Sequence, residues 1–194
     1  MKKAFVFMVL CLFSLNIFAQ ETERGFYFAF GLGTSFGFGP KGINYNNALS
    51  TVKETASDAG YSAIPLYVDL AAGWAVLQNL YVVGTVYGMG DLMFGNSDFL
   101  MPGFRVYGTG VRFYPLNYLQ IGTDIGLATT VFQASQSWDN VQTELGFGTK
   151  LSVAYDFGKD VKGSSFALGG AFLANILKDD VKTAFSIFAK YVYK

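Results

Sequence analysis

The stretch Phe26-Tyr27-Phe28-Ala29-Phe30-Gly31-Leu32-Gly33-Thr34-Ser35-Phe36-Gly37-Phe38 decides how the chain is read. Its even positions are Phe, Phe, Phe, Leu, Thr, Phe and Phe, and its odd positions are almost all small. A period of two places alternate side chains on opposite faces of an extended strand. One face is therefore strongly apolar and the other nearly bare. Residues 64–76 repeat the pattern: Ile64, Leu66, Val68, Leu70, Ala72, Trp74 and Val76 oppose Pro65, Tyr67, Asp69, Ala71, Gly73 and Ala75.

Six further segments read as strands. Residues 80–93 follow a two-residue turn at Gln78-Asn79, which predicts Tyr81, Val83, Tyr87 and Met89 outside and Val82, Gly84, Val86 and Gly88 inside. In residues 99–114, Phe104 and Val106 have one parity and Val111 and Phe113 the other. A bulge near Gly108-Thr109-Gly110 reconciles them, because glycine accommodates the extra residue. The remaining strands are 118–132, 141–157, 164–176 and 183–193, with apolar positions such as Ile121, Leu127, Phe147, Val153, Phe172 and Ile187 on one face. Eight is an even number, as bacterial outer-membrane barrels require. It predicts both ends of the mature chain in the periplasm. The turns at 78–79, 115–117 and 158–163 are then periplasmic, and the loops 40–62, 94–98, 133–140 and 177–182 are external. In the long first loop, Asn47 is placed to cap a short helix over 48–59 with Gly60 as its stop; a mobile loop is the alternative.

Composition agrees with an apolar solvent. Of the 194 residues, 52% are hydrophobic and 18% aromatic, and only 14% are charged, against about 25% in soluble domains. Residues 1–20 read as a secretory signal: Lys2 and Lys3, an apolar run from Ala4 to Leu15, and a cleavage site at Ile17-Phe18-Ala19. The run is too short for a good spanning helix. Cys11 follows a bulky Leu10, so it reads as signal core and not as a lipidation site. Without Lys2 and Lys3 the 14 basic residues fall to 12 against 14 acidic ones, which gives no reason to expect a nucleic-acid partner. No later stretch approaches the roughly 18 apolar residues of a membrane helix. A closed barrel is the other structure that satisfies its backbone inside a bilayer. Residues 21–194 are therefore expected to form an all-β, transmembrane, antiparallel up-and-down barrel of eight strands, reached by Sec-type export.

The same alternation assigns the polar residues Asp69, Arg105, Arg112, Gln120, Asp124, Glu144, Lys150, Asp156 and Lys190 to the lumen. A cation facing lipid at mid-depth would cost about 2–4 kcal/mol. An eight-stranded barrel is just wide enough for side chains to fill, so these charges are expected to pair across it as a structural polar core. A narrow solute path is the alternative. Trp74, Tyr81, Tyr155 and Tyr193 suit an aromatic girdle at the periplasmic interface, while Trp138 and the pairs Asp139-Asn140 and Asp179-Asp180 fall in external loops.

Chemistry is hard to find. Gly33-Thr34-Ser35-Phe36-Gly37 matches the nucleophile-elbow pattern, but that elbow needs a strand-to-helix turn and a base. Here it lies inside one alternating strand, and the chain has no histidine. With no histidine and no cysteine in the mature chain, a transition-metal site is not expected. Nothing calls for a cofactor, and no catalysis is expected.

The chain resembles the small outer-membrane barrel superfamily typified by the OmpA membrane domain and OmpX. The resemblance rests on the architecture, the Ala19-Gln20 cleavage region and the last strand, Ala184-Phe185-Ser186-Ile187-Phe188-Ala189-Lys190-Tyr191-Val192-Tyr193. Alternating apolar residues ending in an aromatic resemble the strand read by the barrel-assembly machinery, although Lys194 follows the aromatic. The resemblance implies the outer membrane of a Gram-negative-type bacterium, contact with its lipid and lipopolysaccharide, and a structural or surface-interaction role. A transporter of small or apolar solutes, as in OmpW-like barrels, is the alternative. A soluble lipocalin-type barrel would leave too few polar residues for its outside. The mature protein is expected to float with outer-membrane vesicles and to migrate faster unheated than boiled on a denaturing gel; a water-soluble polypeptide without that shift would contradict the reading.

Overall fold

The structure, a computed structural model, describes residues 25–38, 55, 57–58, 60–95, 99–134, 137–158, 163–177 and 180–194; the side chains of 38, 99–100, 131–134, 137–144 and 180 fall outside that description. The expected signal segment and most of the expected 48–59 helix lie outside the described residues. Within the first loop Thr55, Ser57 and Asp58 are helical, and Gly60 follows at φ +82° with its N–H on the Ser57 carbonyl at 2.9 Å. That is the left-handed stop glycine provides at low cost.

Eight strands follow in order: β1 (Phe26–Phe38), β2 (Ser62–Leu77), β3 (Leu80–Phe94), β4 (Phe99–Leu116), β5 (Leu119–Ala134), β6 (Ser137–Asp156), β7 (Ser164–Leu177) and β8 (Asp180–Tyr193). Each pairs antiparallel with the next, and β1 pairs with β8 from Phe28↔Tyr193 to Phe38↔Thr183, which closes the barrel. Closure removes both sheet edges, so no strand is left with an unpaired row of backbone groups. β6 begins at Ser137, so Trp138 and the Asp139-Asn140 pair lie on a strand and not in a loop, and Asp180 opens β8.

The two faces are inverted relative to a water-soluble protein. Leu145, Leu127 and Phe166 are 73%, 68% and 67% exposed on the outside, while Arg112, Asp124 and Lys150 inside are each 1% exposed. One rim carries both ends of the described barrel, and aromatics crowd its outer wall. Phe26 meets Trp74 edge-on at 5.7 Å, Tyr118 meets Tyr155 at 5.5 Å, and Phe166 meets Tyr191 at 5.9 Å. Trp74, Tyr155 and Tyr193 stand in this ring as expected. Tyr81 does not: it is buried in the lumen between Tyr27 and Tyr114.

The reason is a single residue. Ala75 pairs with Tyr81 and Leu77 with Leu80, which leaves Val76 unpaired. Such a bulge shifts the parity of everything beyond it. Tyr81, Val83, Tyr87 and Met89 therefore point inward, and Val82, Gly84, Val86 and Gly88 outward, the reverse of the expected phase. The expected bulge at Gly108-Thr109-Gly110 is absent, since β4 runs in unbroken register from Gly103 to Phe113 against both neighbours. Phe104 and Val106 consequently face the lumen.

Inward glycines let so narrow a barrel close. Gly108 and Gly126 are cross-strand partners, and a Cβ built on either would lie 2.7 Å from the other's Cα. Gly126→Val should therefore lower the folded fraction by an overpacking cost of about 1–3 kcal/mol. Gly84→Val, whose Cβ meets nothing closer than 3.8 Å, should leave it unchanged; the folded fraction is read as the unheated fast-migrating band after refolding into micelles.

Candidate functional site

The lumen holds the chain's one concentration of described charged side chains. On β4 and β5, Arg112 and Asp124 face inward and form a two-pronged pair, with Nη1 on Oδ1 at 2.6 Å and Nη2 on Oδ2 at 3.0 Å. The planar guanidinium matches the carboxylate in both directions. Space for the pair comes from glycine: a Cβ on Gly110 would lie 1.8 Å from Asp124 Oδ1, and one on Gly122 would lie 3.1 Å from Arg112 Cδ.

Lys150 of β6 reaches across to two acids, Asp69 Oδ1 at 2.7 Å and Asp124 Oδ2 at 2.8 Å, and its ammonium sits 4.4 Å from the centre of the Tyr87 ring. A desolvated cation gains from a ring face as well as from carboxylates. A second cluster lies nearer the rim that carries the chain ends. Lys190 donates to Gln120 Oε1, and Gln120 Nε2 donates to Tyr114 Oη and, at 3.1 Å, to Tyr27 Oη. Asp156 accepts from Tyr114 Oη at 3.3 Å and the Gly158 N–H at 2.9 Å, and pairs with Lys194 Nζ at 2.8 Å. Towards the other rim the lumen mixes apolar residues, Met89, Met93, Phe104, Val106, Leu173 and Leu177, with buried Asp91, Asn175 and Lys182, whose ammonium sits 5.3 Å from the centre of the Phe104 ring.

Seven of the expected residues meet in these two clusters: Asp69, Arg112, Gln120, Asp124, Lys150, Asp156 and Lys190. Glu144 lies on β6, and its side chain is outside the described residues. Arg105 is a correction. With no bulge in β4 it points outward, where it donates to Tyr107 Oη at 3.2 Å on the exposed wall. Four participants were not anticipated: Tyr27, Tyr87, Tyr114 and Lys194. Lys194 and Tyr114 were within reach of the period, since each follows an inward cation by an even step. Tyr87 was hidden by the Val76 bulge. Ser35, in the elbow-like pattern, is buried within β1 opposite Ser186, away from any strand-to-helix turn.

A closed, all-antiparallel, eight-stranded barrel that is polar within and apolar without is the architecture of the small outer-membrane barrels, as the OmpA- and OmpX-like resemblance implied. In particular, the chain is similar to Ail, the attachment invasion locus protein of Yersinia pestis, solved with the heparin analogue sucrose octasulfate: 14% identity, 89% of this chain and 100% of that one, TM-score 0.52. It is also similar to the Neisserial surface protein A, at 11% identity over 89% of this chain and 99% of that one, TM-score 0.51. At such identities the likeness is one of fold. No protein-family model matches the sequence, and no curated protein is similar to it.

Asp124 is the acid shared by two buried cations. Asp124→Asn should destabilise the barrel strongly, on the order of the 3–5 kcal/mol lost when a buried pair is broken. Replacing Arg112 and Asp124 together by Met and Leu should cost less than Asp124→Asn alone. Urea titrations of barrel refolded into lipid vesicles measure both.

Proposed function

We propose that this protein is an integral outer-membrane β-barrel with a structural or surface-interaction role and no catalysis. The observation that carries the reading is the filled lumen. Arg112, Asp124, Lys150 and Asp69 span the barrel interior in direct contact, and Gln120, Lys190, Tyr27 and Tyr114 close it again nearer the rim with the chain ends. A wall that displays Phe, Leu and Ile outward would be costly in water, where apolar surface is worth roughly 25 cal/mol per Å², and is at home in hydrocarbon. The rim with the short turns at 78–79 and 117–118 is assigned to the periplasm, since such barrels keep short turns on that side. The opposite rim, with the long 39–61 connection, meets the exterior. Of the two similar structures named above, one is named as a surface protein and the other for attachment and invasion, and a surface role is the reading adopted for this chain. The expected export signal at residues 1–20 and a last strand of alternating apolar residues fit delivery by Sec-type export and insertion by the barrel-assembly machinery.

In planar bilayers the purified barrel should show no conductance steps, because two clusters of paired side chains lie across its interior. Steady steps from the folded wild type would instead establish the solute-channel alternative.

A further inference from the structure

The outer wall is not uniformly covered. On β3 and β4 the outward positions Gly88, Gly90 and Gly103 carry no side chain, and Gly88 pairs with Arg105 and Gly90 with Gly103. They floor a groove of about 270 Å³, walled by Leu66, Val68 and Leu70 of β2, Val86 and Phe30. Its size is close to the smallest ligand clefts, about 300 Å³. Backbone carbonyls lie close beneath: a Cβ on Gly88 would be 2.6 Å from the Phe104 carbonyl oxygen. Arg105 lines the groove on β4, with Gly103 and Met101 two and four positions nearer the outer rim. Among the described residues it donates to the Tyr107 hydroxyl, which takes one of the five guanidinium donors.

Depth gives the cation a meaning. Arg105 stands eleven positions along β4 from Leu116, which lies at the level of the aromatic ring around Tyr118. At about 3.3 Å per residue and a tilt near 40°, that is roughly 28 Å, against an apolar band about 25 Å tall. Arg105 therefore lies at the far edge of the band, where a lipid's charged group resides. The hydrogen-bonded row through Arg105 continues by Gly88 and Val68 to Leu32, which stands only six positions above Phe26 at the lower ring. The groove thus descends from the cation towards Phe30, into the hydrocarbon.

We propose that this groove holds one acyl chain of a phosphorylated lipid of the outer leaflet, with Arg105 on the phosphate. The proposal rests on the membrane reading given above. A guanidinium supplies paired donors to phosphate, and a bare backbone floor admits a chain that side chains would exclude. A water-soluble anion would use Arg105 without the groove, and an uncharged lipid would use the groove without Arg105. An acylated phosphate is the ligand that needs both.

The test uses the whole barrel in uncharged detergent, with a phosphorylated, multiply acylated glycolipid and its dephosphorylated counterpart as probes, and retention read by native mass spectrometry. Wild type should retain the phosphorylated probe at least about tenfold better than the dephosphorylated one, the discrimination expected from charge-assisted hydrogen bonds. Arg105→Gln should abolish that preference. Val68→Trp, which fills the groove from its wall and leaves the glycines alone, should lower retention of both probes by a similar factor. Both residues lie outside the luminal clusters, and heat-shifted migration checks that each variant is folded. Equal retention of the two probes by wild type would overturn the proposal, as would unchanged retention in either folded variant. A wild-type barrel that does not insert into lipid vesicles would instead overturn the membrane reading itself.

Discussion

Closing eight antiparallel strands into a ring leaves each side chain only two destinations, the enclosed centre or the outer wall. The ladder β1 through β8 and back to β1 fixes that choice residue by residue, because a side chain cannot change sides without a change of register. Everything else in the molecule is a consequence of this sorting. Charged groups gather where they reach one another, and Phe, Leu and Ile gather where water would be least welcome.

The centre is too narrow for loosely hydrated ions, so its charges must satisfy each other. Asp124 accepts from both Arg112 and Lys150, and Lys150 in turn bridges to Asp69. Tyrosines fill the gaps between these contacts and the Gln120 cluster. Buried ions are expensive unless they are paired and hydrogen-bonded. The network meets this condition through the backbone: the inward glycines at 110 and 122 vacate the volume that Arg112 and Asp124 occupy. Small residues on the bare face are thus as much a part of the polar core as the charges themselves.

The fold was legible because a period of two, repeated through eight segments, suits extended strands and little else. The strand bounds of β1 and the turn at 78–79 could be read directly, and so could the inward placement of Asp69, Asp124 and Lys150. What could not be read was the place where the period breaks. Val76 sits in an apolar strand beside apolar neighbours, and nothing in its chemistry marks it as the extra residue. Yet it reverses the whole of β3 and draws Tyr81 and Tyr87 inside. The glycines at 108 and 110 had the opposite effect. They suggested a bulge, whereas they are there to make room, and so Arg105 was assigned to the wrong side of the wall. Sequence shows that a strand alternates; it does not show which residue fails to count.

Several contacts within the two clusters are remote along the chain. Lys150 and Asp69 are 81 residues apart, Gln120 and Tyr27 are 93, and Lys190 and Gln120 are 70. No pair of neighbouring strands can form these three alone, so a half-assembled sheet would keep the Arg112–Asp124–Lys150 chain of β4 to β6 but leave Lys150 without Asp69 and Gln120 without Tyr27 and Lys190. The charged filling therefore acts as a latch that is complete only when the last strand meets the first. An open sheet lacks these cross-lumen ties, so closing the ring and locking its interior are one event.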